Sequence, residues 1–271
     1  MGSDRSTSAV ALAGVSLRRA VLLDIDGVLV VSWRALPGAA DAVARLRAAG
    51  WRVSFVTNTS SLTRRAIADR LRLAGIGVEL GEILTAGRAA VRYLGERHPG
   101  ASVLLLNSGS IDEDLEGVHL VGDNADVVLT GGAGTEIDYR LLNRAFQLLL
   151  GGASLVAMHR NLSWVTTDGA QLDMGAFVAG LELAAGTEAV VVGKPAPEFY
   201  AAALAQVGAE PCDAVMVGDD VESDVLGAQA IGIRGVLVRT GKFRPAALQR
   251  ARGKPDEMID SIADLADLLS S

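Results

Sequence analysis

Apolar residues along this chain come in short unbroken runs rather than in strict alternation. β-Branched and aliphatic blocks occupy 21–23, 53–56, 103–106, 127–130, 155–158, 189–192, 214–217 and 235–238, and most of them end on Gly, Asp, Asn or Thr. Runs of this length, bounded by turn residues, predict strands buried on both faces. Between them, segments of helical composition lie at 39–49, 63–74, 88–96, 139–150, 176–185, 198–207, 223–231 and 261–269. Gly50 and Gly75 stand just past the first two, where a helix C-terminus is expected. Strand and helix alternating at this pitch predict an α/β fold built on a parallel sheet with right-handed crossovers. A Gly- and polar-rich stretch at 166–175 precedes the helix at 176. Periodicity does not say where one domain is inserted into another.

Composition narrows the class. Half of the 271 residues are hydrophobic and only 4% are aromatic, so the core must be built from Ala, Val, Leu and Ile. A single cysteine, Cys212, excludes an internal disulfide, and no Cys or His cluster suggests zinc. That usage fits a reducing cytoplasm. A net charge of −7 argues against nonspecific binding to nucleic acid or to an anionic membrane. An anionic substrate must therefore be received by local cations and backbone N–H groups. The first 17 residues lack the basic and apolar blocks of a signal peptide and read as a small-residue tail. The apolar run at 21–31 carries two aspartates and is too short to span a bilayer.

Four stretches place reactive polar groups directly after an apolar run, at the carboxyl ends of strands where α/β sheets bind ligands. In Asp24-Ile25-Asp26-Gly27, two carboxylates one residue apart can surround a cation or a phosphoryl group, with Gly27 allowing the turn. One can act as nucleophile while the other handles protons. Thr57-Asn58 offers a hydroxyl and an amide near a helix start, a cradle for phosphate oxygens. In Gly193-Lys194-Pro195 a lysine stands between strand and helix, where it can offset clustered acids and a phosphate dianion. Its glycine spacing is not that of a Walker-A loop. Finally, Gly218-Asp219-Asp220-Val221-Glu222-Ser223-Asp224 gathers acids whose repulsion a divalent cation would resolve, and all-oxygen ligation favours Mg²⁺ over zinc. Each stretch alone also fits a plainer role: solvated acids, helix capping by Thr57-Asn58 or Asp224, a surface lysine. Their joint occurrence is the informative feature.

The order Asp-x-Asp-Gly, Thr-Asn, Gly-Lys-Pro and Gly-Asp-Asp-x-x-x-Asp resembles the haloacid dehalogenase (HAD) superfamily of phosphatases. The long insert between Thr57 and Lys194 resembles the type-C2 cap of subfamily IIA, as do GAFVAGLE, VVGKPAPEFY and VMVGDDVESDVLGAQAIGIRGVLVRTGKFRP. The resemblance runs from Ala20 to the last helix and is weakest over 102–135. It implies a Rossmann-like core of residues 1–84 and 191–271, with an inserted α/β cap at 85–190. It implies that Asp24 is nucleophile and Mg²⁺ ligand, and that Asp26 is general acid/base and lends its backbone carbonyl to the metal. Thr57 and Asn58 would hold phosphoryl oxygens, Lys194 would orient Asp24 and phosphate, and Asp219 would complete the metal ligands with Asp220 and Asp224 in support. The family usually has Thr where Val28 stands, which removes a hydroxyl and no named catalytic group.

The resemblance further implies a small phosphorylated substrate: pyrophosphate, a phosphorylated amino-acid side chain, a nucleotide monophosphate, a sugar phosphate or pyridoxal phosphate. A homodimer through the cap is common in the family. Cap candidates for the leaving group are His159, Trp164 and Asp173, each read first as structural, and Gly122-Asp123 reads as a loop. Two rivals remain open: a phospho-accepting receiver, whose acidic pair would have to come earlier in a shorter chain, and a HAD-like scaffold that binds without turnover.

Overall fold

The computed structural model describes residues 19–166 and 169–270, and for Trp164, Val165, Thr166 and Ala170 the backbone alone. The tail expected at 1–17 lies outside the described residues. The fold is α/β, as expected, with two parallel sheets. The first runs Glu257–Ile259, Arg234–Val238, Ala214–Gly218, Ala20–Asp24, Arg52–Thr57, Ile83–Thr85 from edge to edge, all parallel.

Alternate residues feed opposite faces of this sheet, as strand geometry requires. Val21, Leu23, Val53, Phe55, Val215 and Val217 face the helices Ala39–Ala48 and Arg64–Leu73. Ala20, Leu22, Val56, Ala214 and Met216 face Phe199, Tyr200, Ala203 and Leu204 of the helix Pro197–Val207. Each fully buried Leu, Val or Phe contributes roughly 1.5–3 kcal/mol, so the central strands are the most strongly held. Val28 is one of these buried residues.

Register then fixes the site. Leu23 pairs with both Val217 and Phe55, and Asp24 pairs with Val56. Asp24 is therefore level with Gly218, while Asp219 and Thr57 project one residue beyond the same rim.

The second sheet is also all parallel, in the order Val190–Val191, Ser154–Ala157, Val127–Thr130, Ser102–Leu106, His119–Leu120. Val103, Val127, Leu129 and Val156 pack on Ala86, Ala90 and Leu94, while Leu104, Leu106, Val128 and Leu155 pack on Ala145, Leu149, Val178 and Leu181. The chain enters and leaves this sheet side by side: a Cβ on Gly193 would lie 3.1 Å from Cβ of Ala86. Asp114, buried in the stretch before His119, ties that stretch to the start of the helix Arg64–Leu73 by accepting the Arg64 backbone N–H at 2.7 Å and its Nε–H at 2.8 Å.

Several elements depart from expectation. The edge strands Ile83–Thr85 and Glu257–Ile259 span three residues each, too few for a period to register. The stretch expected at 166–175 contributes to a hairpin, Ser163–Thr166 with Gly169–Leu172, and the following helix starts earlier, at Met174. The helix expected at 223–231 is a π-type turn over Val221–Leu226 followed by a short helix at Gly227–Gln229. No helix among the described residues is long and apolar enough to cross a membrane.

Candidate active site

Two neighbouring strand ends, those of Ala20–Asp24 and Ala214–Gly218, bring three acids together. One carboxylate oxygen from each of Asp24, Asp219 and Asp224 lies within 4.8 Å of the other two, and all three residues are buried. Lys194, 4% exposed, reaches in from the far side of the intervening segment. Its Nζ donates to Asp24 Oδ1 at 2.7 Å and lies 2.8 Å from Asp224 Oδ1. Asp219 Oδ1 is buried with no donor. Burial, with the charges of Asp24 and Asp224, pushes Asp219 up to about 8. Burial also raises Asp224, to about 6, against the pull of Lys194. Burial pulls the Lys194 ammonium down, but Asp224 and Asp24 more than offset it, so it is held above its usual value and stays charged. An acid cluster this dense, with an orphaned oxygen and only oxygen donors, fits a hard divalent cation.

The acids at 219–224 divide their work. Asp220 caps the π-type turn, its Oδ1 accepting the N–H groups of Glu222 and Ser223 at 3.0 Å each. Asp224 instead points into the cluster, with its Oδ2 accepting the Asp220 N–H at 3.1 Å. Tyr200 donates its hydroxyl to the backbone carbonyls of Ser223 and Asp224, bracing that turn from below. π-Type turns recur at functional sites because they re-aim side chains in this way.

Asp26 is half-buried and stands outside the trio. Thr59 donates its hydroxyl to Asp26 Oδ2 at 3.3 Å, and burial raises the Asp26 carboxyl above the usual carboxylate value against the pull of Lys242, Thr59 and Lys194. The Thr57 hydroxyl lies 3.0 Å from that of Thr59 and accepts the Thr59 N–H. Asn58 does something the sequence did not announce. Its amide grips the Lys194 backbone at both ends, donating to the carbonyl at 2.9 Å and accepting the N–H at 2.8 Å. The side-chain amide is thus spent on placing Lys194 rather than turned to a phosphoryl oxygen. The Lys194–Pro195 peptide is cis.

A fifth strand end also reaches the site. After Arg234–Val238, Thr240 donates to the Gly27 carbonyl and the Lys242 N–H donates to Asp219 Oδ2 at 2.6 Å. Gly27 and Gly241 both have positive φ, and a Cβ on either would overlap Asp219 Oδ2. Only glycine fits where these two loops close on that carboxylate. Gly241→Ala is therefore expected to displace Asp219 and strain the loop, costing about 1–3 kcal/mol of stability. The check is thermal unfolding with and without Mg²⁺; the Mg²⁺-induced rise should shrink along with the melting temperature.

The remaining candidates are structural. Asp173 caps the helix Met174–Ala185 and accepts the Ala133 N–H at 3.2 Å. His159 is buried; Asn161 N–H donates to its Nδ1 at 3.3 Å, leaving Nε2–H facing Ser60 Oγ at 3.5 Å. Burial holds its pKa below the usual value. Asp123 pairs with Arg144 at the surface. The side chain of Trp164 lies outside the described residues. A cavity of about 390 Å³ opens at the opposite pole, among Arg19, Trp51, Cys212 and Arg234, away from every group above. A smaller one of about 280 Å³, lined by Asp219, Asp220, Glu222, Lys242 and Arg244, flanks the acid cluster.

Two family models match, a haloacid dehalogenase-like hydrolase model over residues 21–121 and a HAD-hydrolase-like model over 191–265. The phospholysine phosphohistidine inorganic pyrophosphate phosphatase of Xenopus laevis is 38% identical over 258 residues, covering 93% of this chain and 94% of that protein. The chain belongs to the haloacid dehalogenase-like hydrolases. Among solved members, the p-nitrophenyl phosphatase of Archaeoglobus fulgidus is 30% identical with a TM-score of 0.87, covering 93% of this chain and 99% of that one. A glycerol phosphate phosphatase of Mycobacterium tuberculosis, in complex with magnesium, is 26% identical with a TM-score of 0.83, covering 92% and 77%.

Proposed function

We propose that this chain is a Mg²⁺-dependent phosphatase of small phosphorylated substrates, working through an aspartyl phosphate on Asp24 with Asp26 as general acid/base. The observation that carries the reading is the Lys194 ammonium wedged between Asp24 and Asp224, beside an Asp219 oxygen with no donor. Asp24, Asp219 and the backbone carbonyl of Asp26 hold the cation, with Asp224 in support. When bound, Mg²⁺ supplies charge neutralisation for the phosphoryl group and the acids around it. Asp24 attacks phosphorus. Lys194 keeps its carboxylate aimed, while the hydroxyl of Thr57 and the backbone around Asn58 receive phosphoryl oxygens.

Asp26, whose carboxyl burial raises above the usual carboxylate value, gives its proton to the leaving oxygen. Once ionised it takes a proton from the water that opens the acyl phosphate. General acid–base help of this kind is typically worth roughly 10²–10⁴-fold. Residues 1–84 and 191–271 form the core in this reading, and 85–190 the cap that closes over the site. A homodimer through that cap would cover Leu150, Leu172 and Leu183, which it exposes. A cytoplasmic location fits the lone cysteine. The substrates considered are pyrophosphate, phosphohistidine or phospholysine, and phosphorylated metabolites, in line with the activities named for the relatives.

A phosphate-release panel with Mg²⁺ or EDTA tests this, with kcat/KM ranking the substrates. Phosphate binding without turnover would leave the non-catalytic scaffold standing instead. A pH signature accompanies it. Asp219 and Asp224 titrate near 8 and 6 in the metal-free fold, against about 3.9 when unfolded. Between pH 4 and 8 the folded state therefore holds protons that the unfolded chain has lost, so these groups lower metal-free stability as pH rises. Mg²⁺ competes with the same protons. The Mg²⁺-induced rise in Tm should be larger at pH 8 than at pH 6; an equal or reversed increment would remove the metal assignment.

A further inference from the structure

Lys242 does two separable things. Its backbone N–H holds Asp219, a task any residue but proline could perform. Its ammonium makes no direct ion pair among the described residues, although the charges of Asp24, Asp219 and Asp224 act on it and hold it above its usual value against burial. Lys194, by contrast, is buried and committed to Asp24 and Asp224. Arg244 offers no alternative cation, because its guanidinium turns back to the carbonyls of Gly241 and Phe243.

The loop carrying Lys242 touches the loop carrying Asp24 and Asp26, through Thr240 on Gly27 and through the close approach of Gly241 to Gly27. Lys242 thus keeps solvent access while facing the rim where the site opens. Its charge bears on Asp26 more than that of Lys194 does, and also on His159, just past the strand Ser154–Ala157. Charge bookkeeping agrees. Asp24, Asp219 and Asp224 with Lys194 sum to about −2, which one divalent cation cancels. Negative charge on a leaving group then has Lys242 as its counterpart.

We propose that Lys242 is the leaving-group lysine of this site and selects substrates whose leaving group is itself anionic, phosphoanhydrides such as pyrophosphate first among them. The inference rests on the phosphatase reading above. As an Asp24 oxygen bonds to phosphorus, the bridging P–O bond breaks and its electron pair stays on the departing phosphate. That oxygen takes the Asp26 proton, and Lys242 donates a hydrogen bond to the same phosphate while keeping its own proton. Water then cleaves the acyl phosphate, releasing the second phosphate and returning a proton to Asp26.

The test compares Lys242→Met, which keeps the N–H and the length but not the charge, and Lys242→Arg with the wild-type enzyme. Substrates are pyrophosphate and p-nitrophenyl phosphate, with Mg²⁺ present. Lys242→Met is expected to lose about tenfold more kcat/KM on pyrophosphate than on the nitrophenyl ester, mainly through KM, and Lys242→Arg to recover most of it. The Mg²⁺-induced rise in Tm should not fall, because the backbone N–H stays on Asp219 and the acids only lose a competing cation. Equal losses on both substrates, or a reduced Mg²⁺ shift, would overturn the proposal by tracing the effect to Asp219. A wild-type enzyme that cleaves the ester but not pyrophosphate would overturn it too. A wild type that cleaves neither removes the phosphatase reading beneath it.

Discussion

Asp24→Asn is expected to give a folded protein that releases no measurable phosphate. The amide keeps the shape and one oxygen for Lys194 but has no anionic oxygen to form a bond to phosphorus. Loss of a nucleophile with the rest of the site intact typically costs on the order of 10⁴–10⁶ in kcat. Folding should not suffer, because the substitution removes one of three buried acids that crowd within 4.8 Å. Circular dichroism and thermal melts should match or exceed the wild type. Acid-quenched intact mass during turnover should show a phosphoryl adduct on the wild type and none on the variant. More than about 1% residual activity would mean that another group attacks.

Lys194→Ala should be as damaging to activity and far worse for the fold. Lys194 is buried and is the cation in direct contact with Asp24 and Asp224. Deleting one partner of a buried ion pair costs about 3–5 kcal/mol, since it strands charge in low dielectric. In a chain of this size that corresponds to a melting temperature lower by about 10 °C. The sign of the pH dependence distinguishes this cause from a simple cavity. Without the ammonium, Asp224 and its neighbours hold protons still more firmly, so acid relieves the repulsion. The loss should be smaller at pH 5.5 than at pH 8. An identical loss at both would show that packing rather than charge was removed.

The central machinery was legible because strand ends are readable: a short aliphatic run stopping at Asp24, Thr57, Lys194 or Asp219 announces where a sheet presents its polar tips. Asp220 and Asp224 could not be ranked from sequence, since the split depends on a π-type turn that carries no periodic signal. The grip of Asn58 on Lys194 spans segments far apart in the chain and follows from tertiary closure alone. Thr59 carries no motif of its own, and its reach to Asp26 depends on how that loop bends. Gly241 and Lys242 were missed although a signal existed. They follow the strand Arg234–Val238 just as the other motifs follow theirs, and the same strand-end rule applies to them.

The side-by-side entry and exit at Ala86 and Gly193 carry an evolutionary consequence. A segment whose two ends already meet can be lengthened, exchanged or excised without tearing the host sheet, because the junction to be bridged is only a turn wide. In the core-and-cap reading proposed above, chemistry and substrate choice can then be altered separately.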